Sequence, residues 1–138
     1  MMNLIDITGT CHCGNVKYTA QVDAEKIIAC HCVDCQIMSA APFRVVAPIP
    51  SENFHLNGNV RHYIKTAESG NRRVQAFCPD CGTHIYASAA EKSPASYNLR
   101  VGTSDQRAEL QPTMEIWCDS AMPWEIEFTQ TKKIGGQP

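Results

Sequence analysis

Seven of the eight cysteines in this 138-residue chain fall in three short clusters, and no other feature constrains the fold as tightly. The clusters are Cys11-His12-Cys13-Gly14, Cys30-His31-Cys32-Val33-Asp34-Cys35 and Cys78-Pro79-Asp80-Cys81-Gly82, with Cys118 standing alone. In an extended strand alternate side chains share a face, so Cys30 and Cys32 point the same way and a tight turn after them can bring Cys35 alongside. Three converging soft ligands hold a zinc ion but leave its fourth position open. A structural site is normally closed by four protein ligands, whereas a catalytic one keeps a place for water or substrate. The pairs Cys11/Cys13 and Cys78/Cys81 can join into a four-thiolate site across a long loop, which leaves Cys30, Cys32 and Cys35 as a second site. The glycine after each pair lets the chain turn sharply and aim backbone N–H groups at the sulfurs. The competing arrangement is a closed structural site in which Cys118 or a histidine completes the three-thiol stretch. Otherwise Cys118 is expected as a small buried apolar residue.

A chain of this length is expected to form one domain over residues 1–138, and to bury roughly 68% of the surface exposed when unfolded. Hydrophobic residues make up 43% of it but aromatic ones only 7%, so metal sites are expected to supplement the core. Lys plus Arg number 12 and Asp plus Glu 14, a net charge of −2 that argues against nucleic acid or an anionic membrane as a partner held by bulk charge. No stretch approaches the roughly 20 apolar residues of a membrane span, and the N-terminus lacks the pattern of a secretory signal. The expected location is the cytoplasm, where thiols stay reduced and clustered cysteines serve as metal ligands more than as disulfides.

In order, the chain reads as mainly β. Leu4 to Thr8 is a strand candidate, and Val16, Tyr18, Ala20 and Val22 alternate with Lys17, Thr19 and Gln21 in the period of a half-buried strand. Ile27 to Cys32 reads as a strand and Val33 to Ala40 as one or two helical turns ending before Pro42. Phe43 to Ala47 is β, and Pro48 and Pro50 punctuate it. Phe54 to Leu56, Asn57-Gly58 and Val60 to Thr66 predict a hairpin. Glu68 to Asn71 is a loop. Val74 to Phe77 and Thr83 to Ala87 place Cys78 and Cys81 at a hairpin tip, the seat of a zinc knuckle. A further loop spans Ala89 to Pro94, strands are expected over Tyr97 to Val101, Met114 to Cys118 and Trp124 to Phe128, and Lys132 to Pro138 is a tail.

These landmarks resemble the glutathione-dependent formaldehyde-activating (GFA) enzymes. The resemblance rests on Gly9-Thr10-Cys11-His12-Cys13-Gly14 with Val16 and Tyr18, on Cys30 to Gln36, on Phe77-Cys78-Pro79-Asp80-Cys81-Gly82-Thr83, and on Pro112, Ile116 and Trp124. It implies an antiparallel zinc-binding β fold, the β-tent type shared with methionine sulfoxide reductase B and a Rab-exchange chaperone. It also implies that Cys11, Cys13, Cys78 and Cys81 hold a structural zinc, and Cys30, Cys32 and Cys35 a catalytic one.

The residues suit that chemistry. A zinc ion with three thiolates carries a net charge near −1 and activates water only modestly, which favours a thiol in the open position. The cysteine sulfur of glutathione, held there as thiolate, would add to formaldehyde and give S-hydroxymethylglutathione, a carbon–sulfur lyase reaction in reverse. A proton is needed, and His31, Asp34 and His84 are the candidates. His12 and His31 lie between cysteines, so in extended chain they point away from the metal. Arg61, His62, Lys65, Arg72 and Arg73 either form a solvated face or meet the carboxylates of glutathione. Trp117 and Trp124 are expected to anchor the core more than to line a pocket. The alternative function is a non-catalytic zinc module that binds a protein partner through the same β scaffold.

Overall fold

The period-two pattern after the first thiol pair sets the framework. A computed structural model describes residues 2–67, 69–124 and 131–138. Strand β2 (Lys17–Asp23) buries Tyr18, Ala20 and Val22 and exposes Lys17, Thr19 and Gln21, so one face can seal a core while the other meets water. It lies between β1 (Leu4–Thr10) and β5 (Phe54–Asn57), antiparallel to both, in a three-stranded sheet. A seven-stranded sheet faces it. Its members in chain order are β3 (Ile28–Cys30), β4 (Arg44–Pro50), β6 (Arg61–Thr66), β7 (Arg72–Phe77), β8 (His84–Ala89), β9 (Ser96–Arg100) and β10 (Met114–Ile116). Their spatial order is β10-β3-β4-β9-β8-β7-β6. The chain is 42% strand and 15% helix, the mainly antiparallel β architecture that the sequence predicts. One pairing departs from it, since β10 runs parallel to β3.

The core fills the space between the sheets. Ile7, Tyr18, Val22 and Phe54 from the small sheet meet Ile49, Val74, Ile85 and Leu99 from the large one. Phe54 is the aromatic hub, with ring centroids 5.6 Å from Tyr18, 5.7 Å from Tyr86 and 5.0 Å from Tyr97. The register places Ala47 opposite Leu99 and Ile49 opposite Tyr97, all on the core side. The intervening residues turn to the other face of the large sheet. There Cys30 lies opposite Arg44, and Val46 opposite Arg100.

Three expectations are corrected. Asn57-Gly58 does not make a hairpin, because β5 pairs with β2 in the small sheet whereas β6 pairs with β7 in the large one. The turn carries the chain from one sheet to the other. Gly58 is required there by a close approach as well as by its φ of +104°, since a Cβ would lie 2.3 Å from the Asn15 carbonyl oxygen. Pro48 and Pro50 do not end β4, which continues through both. Strand β3 begins opposite Val46, so residues 47–50 have β9 as their ladder neighbour on one side only. The Ser51 N–H donates to Ala95 on that side, so alternation turns the ring nitrogens of Pro48 and Pro50 away from the ladder, where no donor is needed. Finally, Trp117 and Trp124 are both exposed rather than core anchors. Of the strand expected over Trp124 to Phe128, residues 125–128 lie outside the described residues, as does Glu68 of the expected loop.

Gly58→Ala should lower the unfolding free energy by about 1–3 kcal/mol, the range for a side chain forced into a sparsely allowed backbone region. Urea unfolding of the metal-loaded chain measures this, and a loss below about 0.5 kcal/mol would show that the Asn15 turn yields to the methyl group.

Candidate metal centre and adjoining cavity

Two tight turns of matching construction carry the paired thiols. In the first, between β1 and β2, the Cys11 N–H donates to the Val16 carbonyl at 2.9 Å. In the second, between β7 and β8, the Cys78 N–H donates to the Thr83 carbonyl, also at 2.9 Å. Each turn closes on a glycine with positive φ, +86° at Gly14 and +78° at Gly82. The turns face one another. The Sγ atoms of Cys11, Cys13, Cys78 and Cys81 all lie within 4.8 Å, with 3.6 Å from Cys11 to Cys13 and 3.7 Å from Cys13 to Cys78. A tetrahedral zinc with Zn–S near 2.3 Å requires sulfurs about 3.8 Å apart, so this set fits such an ion, whereas a disulfide needs about 2.05 Å. Backbone donors already point inward. The Val16 N–H reaches the Cys11 sulfur at 3.2 Å, and the Thr83 hydroxyl, with the Thr83 and Cys13 backbone groups, lowers Cys81 to about 5.

The second thiol set is assembled by a strand and a helix. Strand β3 ends at Cys30, earlier than the expected Cys32, and Cys32 instead caps helix α1 (Val33–Ser39). Its sulfur accepts the Cys35 N–H at 3.2 Å, so the cap itself folds Cys35 back onto the other two thiols. Cys30, Cys32 and Cys35 Sγ lie within 4.8 Å of one another and form the other group able to hold a metal ion among the described residues. Burial raises the Cys30 thiol. For Cys35, burial first and the two neighbouring thiols next push it up to about 12. At Cys32 burial works in the same direction, but the Cys35 N–H, the flanking thiols and Lys65 outweigh it and favour the thiolate.

Cys118 does not join this set. It is exposed, contrary to expectation, in the turn after β10. His12 is exposed, and His31 is buried with Nε2 3.0 Å from Glu115 Oε1 and its ring 5.3 Å from Phe43, so neither extends the thiol set. Gln36 secures the assembly, its amide donating to the carbonyls of His31 and Ser120 at 2.8 Å each. Asp34 accepts from Lys65 at 2.6 Å.

The expected cation cluster divides. Cross-strand pairing puts Lys65 opposite Arg73, on the face of Gln75, whereas His62 lies opposite Ala76 and approaches the core hydroxyl of Tyr86 at 3.5 Å. Sequence reasoning missed two other cations, Arg44 and Arg100, which are only 6% and 9% exposed. Their signal is a charged residue at an alternating position in a run such as Arg44-Val45-Val46-Ala47, where an unpaired charge should not be buried. Arg100 donates to Gln75 at 2.7 Å, and burial followed by the repulsion of Arg44 lowers it to about 9, so it stays charged at neutral pH. Both line a cavity of about 580 Å³ with His84, Arg107 and the apolar Met38, Phe43, Leu110 and Pro112. Burial, then Arg44 and Arg100, lowers the His84 pKa from its ordinary 6.5 and keeps the imidazole neutral.

A sequence profile of the glutathione-dependent formaldehyde-activating enzymes matches residues 6–120, which include every clustered cysteine. The chain belongs to this family. Among curated relatives, an uncharacterized lyase of Schizosaccharomyces pombe is 30% identical over 78 residues, covering 56% of this chain and 54% of that protein. A Sordaria macrospora protein, provisionally named a glutathione-dependent formaldehyde-activating enzyme, is 30% identical over 97 residues, or 65% of this chain and 40% of the other. The GFA chain thus spans about half the length of the curated relatives it matches, or less. A crystal structure of a Rhodobacter sphaeroides protein superposes with a TM-score of 0.59 at 18% identity, covering 78% of this chain and 98% of that one, and shares the fold. Among the described residues no helix is long and apolar enough to cross a membrane.

Gln36→Ala should destabilise this GFA chain by about 1–3 kcal/mol through loss of two part-buried hydrogen bonds. Amide exchange should accelerate at His31, whose N–H bonds to Ile116, and unchanged exchange there would show that Gln36 does not hold the segment.

Proposed function

We propose that this GFA-family chain is a carbon–sulfur lyase that joins glutathione to formaldehyde, or acts on a related glutathione adduct, at Cys30, Cys32 and Cys35. The observation that carries the proposal is the unequal division of the thiols. Four converge from two closed turns, and three converge where β3 meets a helix cap, with Arg44, the strand partner of Cys30, lining a cavity. On this reading Cys11, Cys13, Cys78 and Cys81 hold a zinc that serves folding, on the order of 10 kcal/mol for such sites. Zinc held by Cys30, Cys32 and Cys35 supplies a Lewis-acidic position at which a substrate thiol is kept as thiolate near neutral pH.

The reaction needs no oxidant or reductant. The thiol sulfur forms a bond to the carbonyl carbon, the carbonyl π pair moves to oxygen, and the thiol proton ends on that oxygen. Of the three proton carriers that the sequence offers, His31 is buried against Glu115 and Asp34 is held by Lys65. His84 lines the cavity in neutral form. It accepts the thiol proton and returns it to the developing alkoxide, and the reverse reaction retraces these transfers as the carbon–sulfur bond breaks. A docking module for another protein is the less supported function, because buried cations beside a small cavity suit a small polar ligand better than an apolar surface.

Exchange NMR on an equilibrium mixture of formaldehyde, glutathione and S-hydroxymethylglutathione tests the reaction. Exchange should accelerate with zinc-loaded wild type and not with Cys32→Ser, which should also retain one zinc fewer per chain. Equal exchange in both would remove this substrate assignment. His84→Gln should slow exchange by about 10²-fold at unchanged zinc content. Because His84 is lowered below 6.5 and works as the neutral imidazole, the wild-type rate should hold through the ordinary histidine range and fall only below it. A fall centred at the ordinary value would assign the proton step elsewhere.

A further inference from the structure

Two guanidinium groups buried side by side are costly unless an anion meets them, and no carboxylate among the described residues lining their cavity does so. Arg44 Nε and Nη1 and Arg100 Nε are buried without a hydrogen-bond acceptor. No acidic side chain is among the described residues lining the cavity that both arginines border, whereas Arg107 adds a third cation at its wall. Gln75 meets one nitrogen of Arg100 and cannot neutralise it. The thiol cluster offsets part of the charge. Three thiolates on a zinc ion leave about −1 against +2 from the guanidiniums, so one positive charge remains in surplus before a ligand arrives. A buried N–H without an acceptor carries the full desolvation penalty, and a guanidinium is built to return it by forked bonding to a carboxylate.

We propose that Arg44 and Arg100 form a carboxylate-binding site at the floor of this cavity, which selects a reactant bearing a carboxylate beside the three-thiol centre. Formaldehyde is neutral and too small to use it. The carboxylate therefore belongs either to the thiol partner, as in glutathione, or to a carbonyl partner of the 2-oxo acid class in place of formaldehyde. The site rests on the proposed reaction centre for its position, but its existence follows from the arginines alone. The apolar walls at Met38, Phe43 and Leu110 then contact the uncharged part of the same ligand.

Isothermal titration of the full zinc-loaded chain tests the site with S-methylglutathione and with glyoxylate, each compared with its methyl ester. At least one acid should bind wild type about ten- to a hundredfold more tightly than its ester, and Arg44→Gln or Arg100→Gln should abolish that preference. Preference for S-methylglutathione assigns the carboxylate to the thiol partner, and preference for glyoxylate assigns it to the carbonyl partner. Equal binding of acid and ester by wild type, or a preference that survives in both variants, would overturn the proposal. Should a variant fail to fold, the acid–ester comparison on wild type decides. Glyoxylate preference with no binding of S-methylglutathione or its ester would retain the arginine site and remove the glutathione reading. S-methylglutathione and its ester binding alike, with glyoxylate and its ester also alike, would remove the arginine site and keep the glutathione reading.

Discussion

The convergence of four cysteine sulfurs from two distant turns is the constraint on which the rest of this structure depends. Cys11 and Cys13 lie between two strands of the small sheet, and Cys78 and Cys81 between two strands of the large one. Cys13 and Cys78 are separated by 65 residues yet sit 3.7 Å apart at sulfur. The cluster therefore fastens the two sheets to each other at one end, while the hub around Phe54 does so through the core. A chain with few aromatic residues gains from such a fastening, because metal binding that requires both turns in place becomes folding free energy.

With the sheets fixed, the large one presents two unlike faces. Its inner face is apolar. Its outer face carries Cys30 opposite Arg44, and Arg100 bonded to Gln75, while the cap and first turn of helix α1 supply Cys32 and Cys35. The thiols and the guanidiniums are each costly to bury alone, and with a metal ion on the thiols their opposite charges would offset one another. Burial, and then the charges of Arg44 and Arg100, depress the basicity of His84, which shares the cavity.

Much of the fold was legible locally. Val16, Tyr18, Ala20 and Val22 are all buried because period-two burial is a property of any strand with one dry face. The knuckle at Cys78 to Gly82 follows from flanking strands and a turn that only glycine closes easily. Where reading failed, the deciding partner lay far away in sequence. Asn57-Gly58 carries a hairpin signal, yet β5 found β2 and β6 found β7. Pro48 and Pro50 could remain in a strand because the neighbour beyond Val46 is missing on one side. Trp117 and Trp124 carry the composition of core residues and are exposed.

The sequence by itself determined the donor chemistry: seven clustered thiols, their spacing, the glycines that let two pairs turn, and a family resemblance that the profile match bears out. These are local properties, set by residue type and by the periods of strand and turn. Tertiary structure alone decided which thiols share a site, that Cys118 stays outside and that Cys32 caps a helix. It also brought Arg44 and Arg100 together from strands more than fifty residues apart. No local pattern encodes that meeting, because it arises from the strand order of the large sheet, which is settled only when both of its faces have found their partners.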